Sequence, residues 1–279
     1  MKYFYVISNL SKDYVLDVQD EVQSCLEKRG AVCRYMTDYE RMKNGRHTPG
    51  EYVPEDTQCI ITIGGDGTLI QAARDLAGRN IPMLGINRGH LGFLNQVDRT
   101  EDIDAAMDAL VNERFRLEHR MMLRGTVFHE GEPVFQDIAL NEIIATSAEH
   151  LRVLRYDLAV NDEYLNEYAA DGVMVATPTG STAYNLSAGG PVMAPAGRMM
   201  AVTPVCSHTL NARSIVISEE DRVKIGLLGK GLVTFDGDTS QKTGPGDYLI
   251  VERSHMETVM VKLKQISFMQ NLSNYLGNV

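Results

Sequence analysis

The sequence predicts an α/β domain built on a parallel sheet, followed by an antiparallel β domain. Strand-like apolar runs alternate with helix-like periods as far as about residue 100, the pattern of βαβ units. Beyond a helical stretch at Glu101 to Glu113, extended segments separated by turn residues predominate until the tail. With 279 residues, 44% of them hydrophobic, the chain can bury a substantial core.

The elements follow in order. Tyr3 to Ile7 reads as a buried strand, and in Asp13 to Lys28 the residues Val15, Val18, Val22 and Leu26 recur at helical steps, with Gly30 as the stop. Ala31 to Tyr35 is the second strand. Residues 37 to 57, with Arg41, Lys43, Gly45, Arg46, Pro49, Gly50 and Pro54 but no period, read as a long, mobile, partly basic loop. Cys59 to Ile63 is a β-branched run suited to a strand buried on both faces, followed by Gly64-Gly65-Asp66-Gly67-Thr68 and a helix at Leu69 to Leu76. Ile81 to Ile86 is a further strand, and Asn87 to Phe93, with His90 in it, a second glycine-bearing loop. In parallel sheets, ligands collect at the carboxyl ends of the strands, where both loops lie.

The change of texture sets a first domain at 1–100 and a second at 101–264, with the tail, 265–279, forming a helix that returns to the first. In the second domain Leu151 to Val160 and Tyr164 to Tyr168 flank Asn161-Asp162-Glu163 as a hairpin. Val223 to Leu228, Leu232 to Phe235, Tyr248 to Glu252 and Thr258 to Leu263 are further strands.

Charge and composition exclude several classes. Lys and Arg number 27 against 37 Asp and Glu, a formal charge of -10, so no broad basic face for nucleic acid or anionic lipid is expected. No apolar run approaches the roughly 18 residues of a membrane span, and the N-terminus lacks signal-peptide features, so a soluble, cytoplasmic protein is expected. Cys25, Cys33, Cys59 and Cys206 lack metal or disulfide spacing and read as small buried side chains; the histidines also lack ligand spacing, and no metal site is expected.

Two segments carry chemistry. A glycine turn between strand and helix lets backbone amides approach a phosphate, and Gly64, Gly65, Gly67 and Thr68 supply a donor phosphate loop that fits neither the dinucleotide fingerprint nor the Walker pattern. Asp66 would repel phosphate, so it reads as a base for a hydroxyl nucleophile or as a grip on sugar hydroxyls. The alternative is a tight turn with Asp66 capping the next helix. The second segment, Asp171 to Tyr184 leading into Asn185-Leu186-Ser187, ends a strand in a hydroxyl-rich turn that can present amides and hydroxyls to a polar ligand, with Tyr184 able to pack on a ring. Its alternative is a Ser/Thr-capped helix start. Asn141-Glu142, between apolar residues, is a ligand contact, a bulge or a strand end.

With these segments in order, together with Gly85-Ile86-Asn87, Leu91-Gly92-Phe93 and His208-Thr209-Leu210 with Arg213, the chain resembles bacterial NAD kinases. Gly-Gly-Asp-Gly alone is shared with lipid and sugar kinases, whereas Thr-Pro-Thr-Gly-Ser-Thr-Ala-Tyr with an upstream Asn-Glu is more specific. The resemblance implies a Rossmann-like α/β domain, a C-terminal β-sandwich that binds NAD, and a homo-oligomer. It implies phosphoryl transfer from ATP or polyphosphate to the adenosine 2′-hydroxyl of NAD, with a divalent cation such as Mg2+ carried by the donor. Asp66 would be the base, and Asp66, Gly67, Asn141, Glu142, Arg152, Asp171, Thr182, Ala183, Tyr184, Asn185, Leu186, Ser187 and Asp238 would contact the dinucleotide. Ala169, Ser207 and Ser214 depart from the residues common in relatives. A lipid or sugar kinase, which would need other pockets, and a non-catalytic dinucleotide sensor are the competing readings.

Overall fold

The computed structural model describes residues 1–10, 14–37, 40, 43–88, 92–98, 100–149, 152–208, 212–263 and 267–277. Asp13, Arg41, Gly89, His90, Leu91, Leu151, Thr209 and Leu210, named above, lie outside them, as do residues 265, 266, 278 and 279 of the tail. The chain divides into two units, 1–119 with 257–279, and 120–256.

The first unit opens with β1 (Tyr3–Ser8), α1 (Val15–Glu27) and β2 (Val32–Tyr35), then β3 (Cys59–Ile63), α2 (Asp66–Asp75), β4 (Met83–Ile86) and α3 (Ile103–Val111). The four strands are parallel in the order β2-β1-β3-β4. All five residues of β3 are buried, as its β-branched composition requires of a central strand. α1 buries Val15, Val18, Val22 and Leu26, the stripe read from the sequence, and Gly30, at φ +73°, ends the turn that follows it. Residues 43–57, expected to be mobile, are tied down at several points. Thr48 N donates to Asp75 Oδ2 at 2.6 Å, and the Arg79 guanidinium donates to the carbonyls of Gly50, Val53 and Pro54. Backbone accepted by fixed side chains needs no periodicity, so composition gave no sign of it.

The second unit takes in most of β5 (Arg116–His129) and β6 (Glu132–Ala139), β7 (Glu142–Ser147), β8 (Leu154–Val160), β9 (Glu163–Ala170), β10 (Gly172–Ala176) and the single turn α4 (Tyr184–Ser187). β11 (Met199–Val205), β12 (Ile215–Ser218), β13 (Val223–Leu227), β14 (Gly231–Phe235), β15 (Thr239–Thr243) and the first part of β16 (Tyr248–Lys262) complete it, and α5 (Phe268–Gly277) follows in the first unit. One sheet runs β12-β11-β10-β7-β14-β15, every pair antiparallel. The other includes β8, β9 and β13, and inward residues of both, such as Tyr156, Ile225, Val175 and Phe235, share one core. This is an antiparallel β-sandwich. The expected hairpin is β8 and β9, turned by Asn161 and Asp162, both at positive φ.

The boundary falls later than residue 100 and the return earlier than 265. The apolar face of α3 joins the core of β1 and α1, and Arg29 at the end of α1 pairs with Asp104 and Asp108 of α3. At the other end Met260 pairs with Met83 of β4, and Val261 enters the same core. β16 is one strand where two were expected, because the polar run Arg253 to Glu257 interrupts the apolar pattern without interrupting the backbone. The cysteines also divide: Cys25 and Cys59 are buried, Cys33 is half-buried, and Cys206, at φ +47°, is exposed.

Candidate functional site

In the first unit the site forms where β3 passes into α2. Gly64, at φ +154°, receives an amide bond's worth of order from Ile86, whose carbonyl accepts its N–H at 2.9 Å. A Cβ on Gly64 would collide with Thr68 Oγ1 and lie 3.2 Å from Asn9 Cβ, so only glycine fits. Around Gly67 there is open space. Gly65 occupies the cap position and Asp66 is the first helical residue. Its carboxylate turns away to the segment after β4, accepting Phe93 N on Oδ2 at 3.0 Å and the Asn95 side-chain amide on Oδ1. The capping alternative therefore does not describe Asp66. Burial pushes its carboxyl above the ordinary range, against the opposing pull of the Phe93, Leu94 and Asn95 donors.

In the second unit three adjacent strand ends form the site. β7 lies between β14 and β10, with Ile143 opposite Phe235 and Glu142 opposite Ala176. The entry to β7, Leu140-Asn141-Glu142, is thus flanked by Asp236 just past β14 and Thr177 just past β10. Asp236, at φ +50°, accepts the backbone N–H groups of Leu140, Asn141 and Glu142 at 2.7, 2.8 and 3.0 Å. Thr177 donates its backbone N–H to Asn141 O and its hydroxyl to Leu140 O. A Cβ on Gly180 would collide with the Asn141 carbonyl, which explains that glycine. With the backbone so held, Asn141 Oδ1 and Glu142 Oε2 are buried and have no partner among the described residues. Burial, reinforced by the neighbouring Asp236 charge, pushes the Glu142 carboxyl up to about 8.

The turn after β10 separates structural from available groups. Ser181 is buried and bonded to Pro178 O and Met193 O. Asn185 is fully buried, donating to Ser181 O and Pro191 O and accepting from Thr203, so its side chain ties the turn together. Thr182, Ala183 and Leu186 are half-buried, Tyr184 is 46% exposed, and Ser187 is exposed. Asp238 lies half-buried in the turn that holds Asp236.

Asp171 and Arg152 do not join this group within the unit. Asp171 precedes β10 and exchanges backbone bonds with Ser147 and Val205, at the opposite end of the strand from Thr177. With five strand residues between them they stand about 20 Å apart. Arg152 follows the same far end of β7. Sequence reasoning missed Asp236, Thr177 and Asn95. Asp236-Gly237-Asp238 carries a turn signature, but nothing in it tells which amides the carboxylate will meet.

Residues 5–115 match the model of the ATP-NAD kinase N-terminal domain and residues 140–263 that of the ATP-NAD kinase C-terminal domain. An NAD kinase of Lachnospira eligens is 37% identical over 98% of this chain and 99% of its own length, and one of Agathobacter rectalis is 37% identical over 100% and 99%. The chain belongs to the NAD kinase family. Its fold is also that of a yeast NADH kinase solved with NADH, at 21% identity and a TM-score of 0.87 over 99% of this chain and 88% of that one. An NAD kinase from Archaeoglobus fulgidus solved with ATP is 23% identical, with a TM-score of 0.78 over 99% and 98%. Both likenesses concern the fold.

Glu142 gives a test that needs no substrate. Its carboxyl is raised in the folded chain, so the stability it contributes is complete below the ordinary carboxylate range and is lost as pH rises toward about 8. Melting temperature should therefore fall between about pH 5 and 8 in the wild type, and Glu142→Gln should flatten that slope. Identical slopes in the two proteins would show that Glu142 is already ionised when buried.

Proposed function

We propose that this chain transfers the terminal phosphoryl group of ATP, or of polyphosphate, to the 2′-hydroxyl of the adenosine ribose of NAD. The observation that carries the reading is the pair of partnerless buried oxygens, Asn141 Oδ1 and Glu142 Oε2. A native chain rarely leaves polar atoms of two successive residues orphaned, because each costs about 1–3 kcal/mol, and a ligand rich in hydroxyl and amide donors would satisfy them. A lipid acceptor would not. Thr182, Ala183, Tyr184, Leu186 and Ser187 line the neighbouring turn and make the remaining contacts, with Tyr184 against a ring; Asp238 lies on the adjoining one.

Asp66 acts as the base. As the 2′-oxygen attacks the terminal phosphorus, its proton passes to the carboxylate and the bond to the leaving phosphate breaks; a positioned base contributes about 10²- to 10⁴-fold. The Gly64, Gly65, Gly67 and Thr68 loop, at the N-terminus of α2, favours the donor's negative charge. A divalent cation carried on the donor phosphates would spread their charge. We further propose a homo-oligomer in the cytoplasm, where both substrates are at hand. No helix among the described residues is long and apolar enough to cross a membrane.

Purified protein supplied with NAD, magnesium and either ATP or polyphosphate should form NADP; no NADP with any donor or divalent metal would refute the reading. Asp66→Asn should lower kcat by about two to four orders of magnitude with little change in NAD affinity, and near-normal turnover would remove Asp66 from the base role. Asn141→Ala should weaken NAD binding in calorimetry and raise KM, since it deletes a contact to a part of the ligand that does not react. Unchanged affinity would misplace the dinucleotide. Light scattering should show more than one copy per particle at micromolar concentration.

A further inference from the structure

The Asp66 carboxylate is held by a segment outside the glycine motif. Phe93 N donates to Oδ2 and the Asn95 side chain to Oδ1, and the Leu94 and Asn95 backbone amides also pull on the carboxylate, so the residues following β4 hold both oxygens. Asn95 is only 6% exposed. It reaches Asp66 through room left by two glycines. A Cβ on Gly85 of β4 would collide with Asn95 Oδ1 and lie 2.9 Å from Leu69 Cδ1, and a Cβ on Gly92 would collide with the Asp66 carboxylate.

We propose that Asn95 is a positioning residue for phosphoryl transfer, acting through Asp66 by fixing the plane of its carboxylate. The inference rests on the reading of Asp66 as the base. Its second support is the other end of the amide: Asn95 Oδ1 is buried and has no partner among the described residues. An asparagine kept for packing would satisfy both ends or be replaced by an apolar side chain, since an orphaned buried carbonyl is costly. Among the described residues the sole bond of the side chain is the one to Asp66. Reversing the amide would set its oxygen against the carboxylate, so the pairing fixes the amide's orientation as well. A donor on one oxygen also favours the ionised form, which a half-buried base needs in order to accept a proton.

The test follows the Asp66 carboxyl directly, by carbon NMR of aspartate-labelled protein across pH, in the wild type, Asn95→Ala and Asn95→Asp, beside the pH profile of NADP formation. Loss of the donor should move the Asp66 midpoint up by about one pH unit in Asn95→Ala, and further in Asn95→Asp, which adds a like charge. The acid limb of kcat should move with it, and kcat on the plateau should fall about tenfold through misplacement of the base. KM for NAD should stay within about twofold, because Asn95 touches no substrate in this assignment. An unmoved Asp66 midpoint overturns the inference whether or not the protein is active, as does a loss of thermal stability with no movement of the limb. Should Asn95→Ala fail to fold, Asn95→Ser carries the same readouts. A wild type that forms no NADP while its Asp66 midpoint still answers to Asn95 overturns the kinase reading, so the two failures are distinct.

Discussion

The second unit's site depends on one carboxylate, Asp236, accepting three successive backbone amides at 140–142. Those amides stand at the start of a strand, where no ladder partner is supplied by the strand itself, and a single anion satisfies all three. Because Asp236 follows β14 and the amides precede β7, the interaction also locks the two strand ends in register. Thr177 performs the matching task from β10 with a backbone N–H and a hydroxyl. Only after the backbone is fixed from both sides can Asn141 and Glu142 hold polar side-chain atoms in a buried place without partners of their own.

Two acids in this chain sit above the ordinary carboxylate range for different reasons. Asp66 is raised by burial and restrained by the donors that grip it, whereas Glu142 is raised by burial and then pushed further by Asp236. The groups that organise the backbone thus also set the proton affinity of the groups left free. A hydroxyl donor reaching Glu142 would stabilise the carboxylate and draw a proton off it, so ligand binding and protonation are coupled at that residue.

Much of this was legible in the sequence. The period of α1, the β-branched run of β3 and the turn at Asn161-Asp162 each reflect local rules, and each appears where expected. Asp66, Asn141 and Glu142 were visible because polar residues among glycines or inside an apolar run are costly unless they do something. The rest depends on contacts distant in the chain. Nothing near Asp236 announces that it will cap residues almost a hundred positions earlier, and nothing near Asn185 shows that Thr203 will close its hydrogen bonds and withdraw it from the surface. The domain boundary slipped for a similar reason: α3 looks like a connector until its apolar face is seen against α1. Asp171 and Arg152 share a motif or neighbourhood with the other site residues in sequence, but a strand separates them in space.

The anchoring of residues 43–57 bears on the Asp66 end of α2. The helix begins at Asp66 and ends at Asp75, whose carboxylate receives Thr48 N and contacts His47, while Arg79 just beyond it grips three loop carbonyls. Ten helical residues make a stiff rod about 15 Å long. The loop therefore holds the handle of a lever whose tip is the Asp66 carboxylate, and a small rotation at the handle is carried along the rod to the tip.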